Sequence, residues 1–180
     1  GNSLANTVTG NAGSNVLDGK AGVDTLVGGS GDDIYYVNDD YGGFMDGTSN
    51  FADSVQEQAS AGIDTIVANS FSASLPTNVE NLTLVYTPGG WTIYYPSNDN
   101  RRRFTGNALD NTIDASALSS APFGSLIDGG AGADRMIGSF ENDAYVVDNA
   151  GDTVVEMASS FGLDTVHSSV TFTLPTFVEN

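Results

Sequence analysis

The sequence predicts an all-β fold, a parallel β-roll or β-solenoid with little or no helix. Three observations predict it. A nine-residue unit runs without slippage over residues 1–36, as GNSLANTVT, GNAGSNVLD, GKAGVDTLV and GGSGDDIYY. The composition is rich in turn-forming residues, with 22 Gly and 18 Asp. No stretch of ten or more residues carries an apolar stripe at the 3.6-residue period of a helix.

Each unit has the parts of one turn and one short strand. Glycine at the first position of every unit, and at the fourth of all but the first (Leu4), allows a tight turn with positive φ. Thr7-Val8, Val16-Leu17, Thr25-Leu26 and Ile34-Tyr35 follow, β-branched or aromatic pairs suited to strands. Two units make a full coil, so loops 18 residues apart stack on the same side. That sets Asn6 above Asp24 and Asn15 above Asp33. Position eight (Val8, Leu17, Leu26, Tyr35) is expected to point inward and form a narrow core. Stacked carboxylates repel, and a hard cation with oxygen ligands removes the repulsion.

The charge balance agrees. Of 180 residues 23 are acidic and 5 basic, a net charge of −18, and the acids are 18 Asp against 5 Glu. Short Asp in Gly-rich loops suits calcium, whereas a solvated helical face would favour Glu. Such a charge excludes nucleic acid and an anionic membrane surface as partners. With 39% apolar residues in strict periodicity this is not a disordered acidic tail, although without metal the chain is expected to lose order. Cysteine is absent, so calcium would serve where disulfides staple other extracellular proteins. No apolar run is long enough to span a membrane and no secretory leader opens the sequence.

A longer period overlies the first. DSVQE at 53–57, GIDTI at 62–66 and SLPTNVEN at 74–81 return as DTVVE at 152–156, GLDTV at 162–166 and TLPTFVEN at 173–180. GNSLANTV at 1–8 returns as GNALDNTI at 106–113. Residues 1–85 therefore read as a first module, with nonapeptides at 1–36 and flanking coils at 53–85. Residues 86–105 read as an inserted hairpin or loop, and 106–180 as a second module. The second copy stops where the first runs on into Leu82-Thr83-Leu84, so a longer array is expected, with the chain beginning mid-repeat. The second nonapeptide block is interrupted at 115–124, and Phe140 and Glu141 stand where a turn prefers a small residue and Gly, so fewer or weaker sites are expected there. Asp64 and Asp164 sit at position six of later units, and Asp53, Glu57, Asp152 and Glu156 flank the preceding strands, as ligands or as turn caps.

The segment 86–104 differs from the rest. It holds the one Trp, Trp91, with Tyr94, Tyr95 and the run Arg101-Arg102-Arg103. A surface hairpin, a contact patch for an acidic neighbouring copy, and a carbohydrate platform are the readings it allows.

With GGxGxD units followed by DxVxE, GxDTV, LPxxVENLxL and GNxLDNxI, the chain resembles the RTX, or haemolysin-type, calcium-binding repeats of large secreted bacterial proteins. The resemblance implies calcium as cofactor, export by a type I secretion apparatus, and folding outside the cell. It also implies ligation by loop carbonyls and the position-six side chain. Carried to this chain, the ligands are Gly19, Ala21 and Asp24; Gly28, Ser30 and Asp33; Gly129, Ala131 and Asp134; and Asp143. Gly10 and Ala12 belong to the unit of Asn15, and Asn6, Asn15 and Asn111 would be neutral, weaker ligands.

No catalytic constellation is present: HExxH, GxSxG and Cys are lacking, and His167 is the single histidine. The expected function is a non-catalytic calcium-dependent folding and stabilising region of a larger secreted protein. The alternatives are a subunit of an extracellular filament or surface layer, which would bind further copies of itself, and a calcium-dependent carbohydrate adhesin.

Overall fold

The computed structural model describes residues 1–38, 53–69, 72–85, 101–118, 124–157 and 162–179. These residues form fifteen short strands, with no helix among them. Strands alternate between two stacks. The even stack is one seven-stranded sheet of β2 (Val16–Asp18), β4 (Ile34–Asn38), β6 (Thr65–Asn69), β8 (Asn81–Leu84), β10 (Thr112–Asp114), β12 (Arg135–Ile137) and β14 (Thr153–Val155). The odd stack comes in two pieces. One is β1 (Thr7–Thr9), β3 (Thr25–Val27) and β5 (Ser54–Gln56); the other is β7 (Ser72–Ser74), β9 (Arg102–Thr105), β11 (Ser125–Asp128), β13 (Ala144–Val147) and β15 (Thr165–Ser168).

Every strand pair is parallel, as a chain winding in one sense must produce. Within the nonapeptides Thr7 pairs with Thr25 and Val16 with Ile34, the 18-residue step of two units per coil. Elsewhere the coil is longer: Ile34 pairs with Thr65, and Asn81 with Thr112. Strand register is kept across these longer coils.

One apolar residue of each strand faces inward, and register stacks these residues in columns. Leu17, Tyr35, Ile66, Leu82, Ile113, Met136 and Val154 form the even column. Val8, Leu26 and Val55, then Ala73, Phe104, Ile127, Tyr145 and Val166, form the odd ones. All but the partly buried Val8 and Val166 lie in one continuous buried core. Each such side chain contributes about 1.5–3 kcal/mol by leaving water.

The segment read from sequence as an insertion, 86–105, gives its last four residues to the solenoid. Arg102–Thr105 is β9, paired with β7 and β11, and Phe104 is buried in the core. Arg102 is itself buried, so only Arg103 of the strand's two arginines is exposed. Trp91, Tyr94 and Tyr95 fall outside the described residues, as do 39–52 and 119–123.

Candidate metal sites

One polar residue stands immediately before nearly every strand, and parallel stacking turns these residues into two ladders, one along each edge of the solenoid. On the even edge they are Asn15, Asp33, Asp64, Glu80, Asn111, Asp134 and Asp152; on the odd edge Asn6, Asp24 and Asp53, then Asp143 and Asp164, and Glu179 beyond the last strand continues the odd ladder through its bond from Asp164. The rungs are hydrogen bonds from the backbone N–H of one residue to the carboxylate of the residue one coil on. Asn6 N–H donates to Asp24 Oδ1 at 2.6 Å, and Asn15 N–H to Asp33 Oδ1 at 2.7 Å. Asp24 N–H donates to Asp53, Asp33 N–H to Asp64 and Asp64 N–H to Glu80. The second half repeats the pattern, from Asn111 to Asp134, Asp134 to Asp152, Asp143 to Asp164 and Asp164 to Glu179.

This use of one oxygen leaves the other. Among the described residues, Oδ2 of Asp24, Asp33, Asp64, Asp134 and Asp164 is buried with no hydrogen-bond partner. A buried anionic oxygen without a partner is costly, and a bound cation answers that cost. The first-position glycines lie against these acids: a Cβ on Gly19 would strike Asp24 Oδ2, and one on Gly129 would strike Asp134 Oδ2. A Cβ on Gly10 would meet both Asn15 Oδ1 and the carbonyl oxygen of Gly28, so a loop carbonyl and the position-six side chain one coil below share one small space. Only a residue without a side chain fits that approach. Ala12, Ala21, Ser30 and Ala131 sit exposed on the loop crests.

The asparagines differ from the aspartates. Asn6, Asn15 and Asn111 each accept a hydrogen bond on Oδ1 from the N–H four residues earlier, at 2.9, 2.7 and 2.7 Å. Their single oxygen is already engaged, so they close their own loops and add no open carboxylate oxygen.

Electrostatics follow the geometry. Burial pushes Asp134 up to about 6 against the hydrogen bond from Asn111, with Asp152, Asp110 and Asp148 adding repulsion. Burial likewise pushes Asp164 up to about 6 and Glu156 up to about 7, and Asp143 adds repulsion to both. Asp64, Glu57 and Asp143 are raised, in each case chiefly by burial. The charged forms of these six acids are disfavoured, and a divalent ion reverses that.

Among the described residues, two groups of three acids converge. Asp33, Glu57 and Asp64 bring carboxylate oxygens within 4.8 Å of one another, and so do Asp143, Glu156 and Asp164. The Tyr35 hydroxyl donates to Glu57 Oε1, and the Tyr145 hydroxyl to Glu156 Oε1.

Against known proteins, residues 1–35 and 125–145 match the RTX calcium-binding nonapeptide repeat, in four copies. The chain carries RTX calcium-binding repeats. No curated protein and no solved structure matches it. Calcium is thus the cofactor, and the oxygen-only donor set with its unpartnered carboxylate oxygens fits it. The matched RTX units contain Asp24, Asp33, Asp134 and Asp143 but none of Glu57, Asp64, Glu156 or Asp164. Sequence reasoning placed Asp64 and Asp164 in a second tier, put Glu57 and Glu156 after them as ligands or turn caps, and passed over Glu80 and Glu179, whose signal was the recurring Val-Glu-Asn. His167 lies exposed on β15, and among the described residues no helix is long and apolar enough to cross a membrane.

Proposed function

We propose that this RTX region is a non-catalytic, calcium-dependent folding and stabilising segment of a larger exported protein. The observation that carries the reading is the set of buried aspartate oxygens without partners, spaced along both edges of a continuous apolar core. The core is narrow, and the acids around it repel one another. Extracellular calcium modules bind with Kd of about 10⁻⁴–10⁻³ M, so such sites are empty at cytosolic calcium and fill outside the cell. At calcium tenfold above Kd each site adds roughly 1.4 kcal/mol, and four add about 5–6 kcal/mol, comparable to a domain's net stability. Folding and metal loading then coincide.

The test is a calcium titration followed by far-UV circular dichroism, with light scattering in parallel. A cooperative coil-to-strand transition between about 0.1 and a few millimolar, with flat scattering, is expected. The same transition with rising scattering would identify an assembly subunit. A chain equally folded in chelator would overturn the reading.

A further inference from the structure

The first-position glycine of an RTX loop is replaced, at one place in each half of the chain, by a glutamate. Loop 28–33 runs from β3 to β4 and opens with Gly28; the loop stacked on it, from β5 to β6, opens with Glu57. Loop 138–143 opens with Gly138, and the one stacked on it with Glu156. Each glutamate reaches back over the glycine below. A Cβ on Gly28 would strike Tyr35 Oη, Asp33 Oδ2 and Glu57 Oε1 together; one on Gly138 would strike Tyr145 Oη, Glu156 Oε1 and, at 2.9 Å, Asp143 Oδ2. The same three residue types, Tyr, Asp and Glu, therefore gather over a first-position glycine twice, once on each edge of the solenoid.

What gathers there is short of positive charge. Each group brings three carboxylates within 4.8 Å, and the oxygens Asp33 Oδ2, Asp64 Oδ2 and Asp164 Oδ2 are buried and unpartnered, their residues no more than 1% exposed. Calcium holds oxygens at 2.3–2.6 Å, so two on opposite sides of one ion lie about 5 Å apart, and all three carboxylates reach a single ion. Magnesium demands a tighter octahedron and keeps its waters, which suits a buried acid cage less well. The nonapeptide sites combine loop carbonyls with a position-six side chain; these groups supply three side-chain carboxylates instead, more charge per ion.

We infer that Asp33, Glu57 and Asp64, and likewise Asp143, Glu156 and Asp164, form a second class of calcium site, which shares the position-six aspartate of one nonapeptide loop, adds a glutamate and an aspartate from the next coil, and fills ahead of the loop sites that lack them. Tyr35 and Tyr145 are positioning residues that hold the glutamate ligand from behind. The inference rests on the calcium-dependent reading above.

Terbium(III) is the probe, because it takes calcium's oxygen ligands and emits when a tyrosine beside it is excited. In the wild-type chain the first two equivalents should carry tyrosine-sensitised emission. The E57Q/E156Q double variant should lose most of it and need at least about tenfold more terbium, since even outer-shell partners matter by 10–100-fold. Y35F/Y145F keeps the carboxylates and the ring packing, so it should still bind terbium and fold on calcium while its emission falls. Emission unchanged in either double variant would overturn the inference; should E57Q/E156Q fail to fold, Y35F/Y145F alone decides. A wild-type chain that gains no strand signal with calcium would instead sink the broader reading, so the two failures are distinguishable.

Discussion

The two acid groups are built from the same sequence grammar and differ in one place. On the even edge Asp33 spends Oδ1 on the N–H of Asn15 and leaves Oδ2 open. On the odd edge Asp143 has both oxygens engaged: Oδ1 accepts from Ser125 N–H at 2.5 Å, and Oδ2 accepts from the N–H and hydroxyl of Ser139 at 2.6 and 3.0 Å. Ser139 stands where the first half has Gly29. Glu156 is buried whereas Glu57 is half-buried. One half thus leaves an acid for the cation to satisfy, and the other satisfies part of it from the chain. A small change of loop residue moves a site along the line between metal-made and protein-made order.

The largest break of that comparison is D143A. It removes three hydrogen bonds and leaves buried donors unpaired, so it should cost about 2–4 kcal/mol even at saturating calcium, measured by urea unfolding. D33N, nearly isosteric, should cost little once calcium saturates and should raise the calcium midpoint instead. Equal effects of the two at saturating calcium would erase the distinction.

Next in size is the order of loss as calcium is withdrawn. Amide exchange should show residues 1–38 and 53–69 opening at higher free calcium than residues 124–157. Simultaneous loss of protection would mean one cooperative unit. S139G, which restores a glycine at that loop position, should lower stability at saturating calcium by about 1 kcal/mol and bring the second half's calcium dependence closer to the first's.

The smallest effect is on pH. Folded Asp134 and Asp164 lie at about 6 and Glu156 at about 7, above their ordinary 3.8 and 4.5. Raised carboxyls favour the folded state while protonated, so their contribution is full below about pH 4 and is lost as pH climbs through 6 to 7. The strand signal that remains in chelator should therefore be larger at pH 5 than at pH 8, and calcium should flatten the difference. A strand signal in chelator that rises with pH would contradict the assignment.

Much of this was legible in the sequence because it is local or strictly periodic. The nonapeptide phase set the strands, the inward columns through Leu17, Leu26 and Tyr35, and the stacking of Asn6 on Asp24 and Asn15 on Asp33. What escaped depends on coils of unequal length. Asp33 meets Asp64 across 31 residues, and nothing in the spacing says that Glu57 folds back over Gly28 to meet the Tyr35 hydroxyl. Arg102 in a strand escaped for a related reason: a charged run after an irregular segment carries no period, yet its neighbour Phe104 enters the core and takes the arginines into register with it.

The uneven division of the two stacks has a mechanical side. The even sheet is continuous from β2 to β14, whereas among the described residues no strand joins β5 to β7. Along the long axis the even sheet is an unbroken tape and the odd side a tape with a slit, so tension crossing that level falls on β6 and β8, and the body has its compliant point there. Glu57 follows directly on β5 at the lip of the slit, and its carbonyl takes a bond from the Asn78 side chain at 3.0 Å. An ion gripping Glu57 with Asp33 and Asp64 would act as a rivet at the weakest level of the rod, making stiffness, as well as stability, a function of calcium.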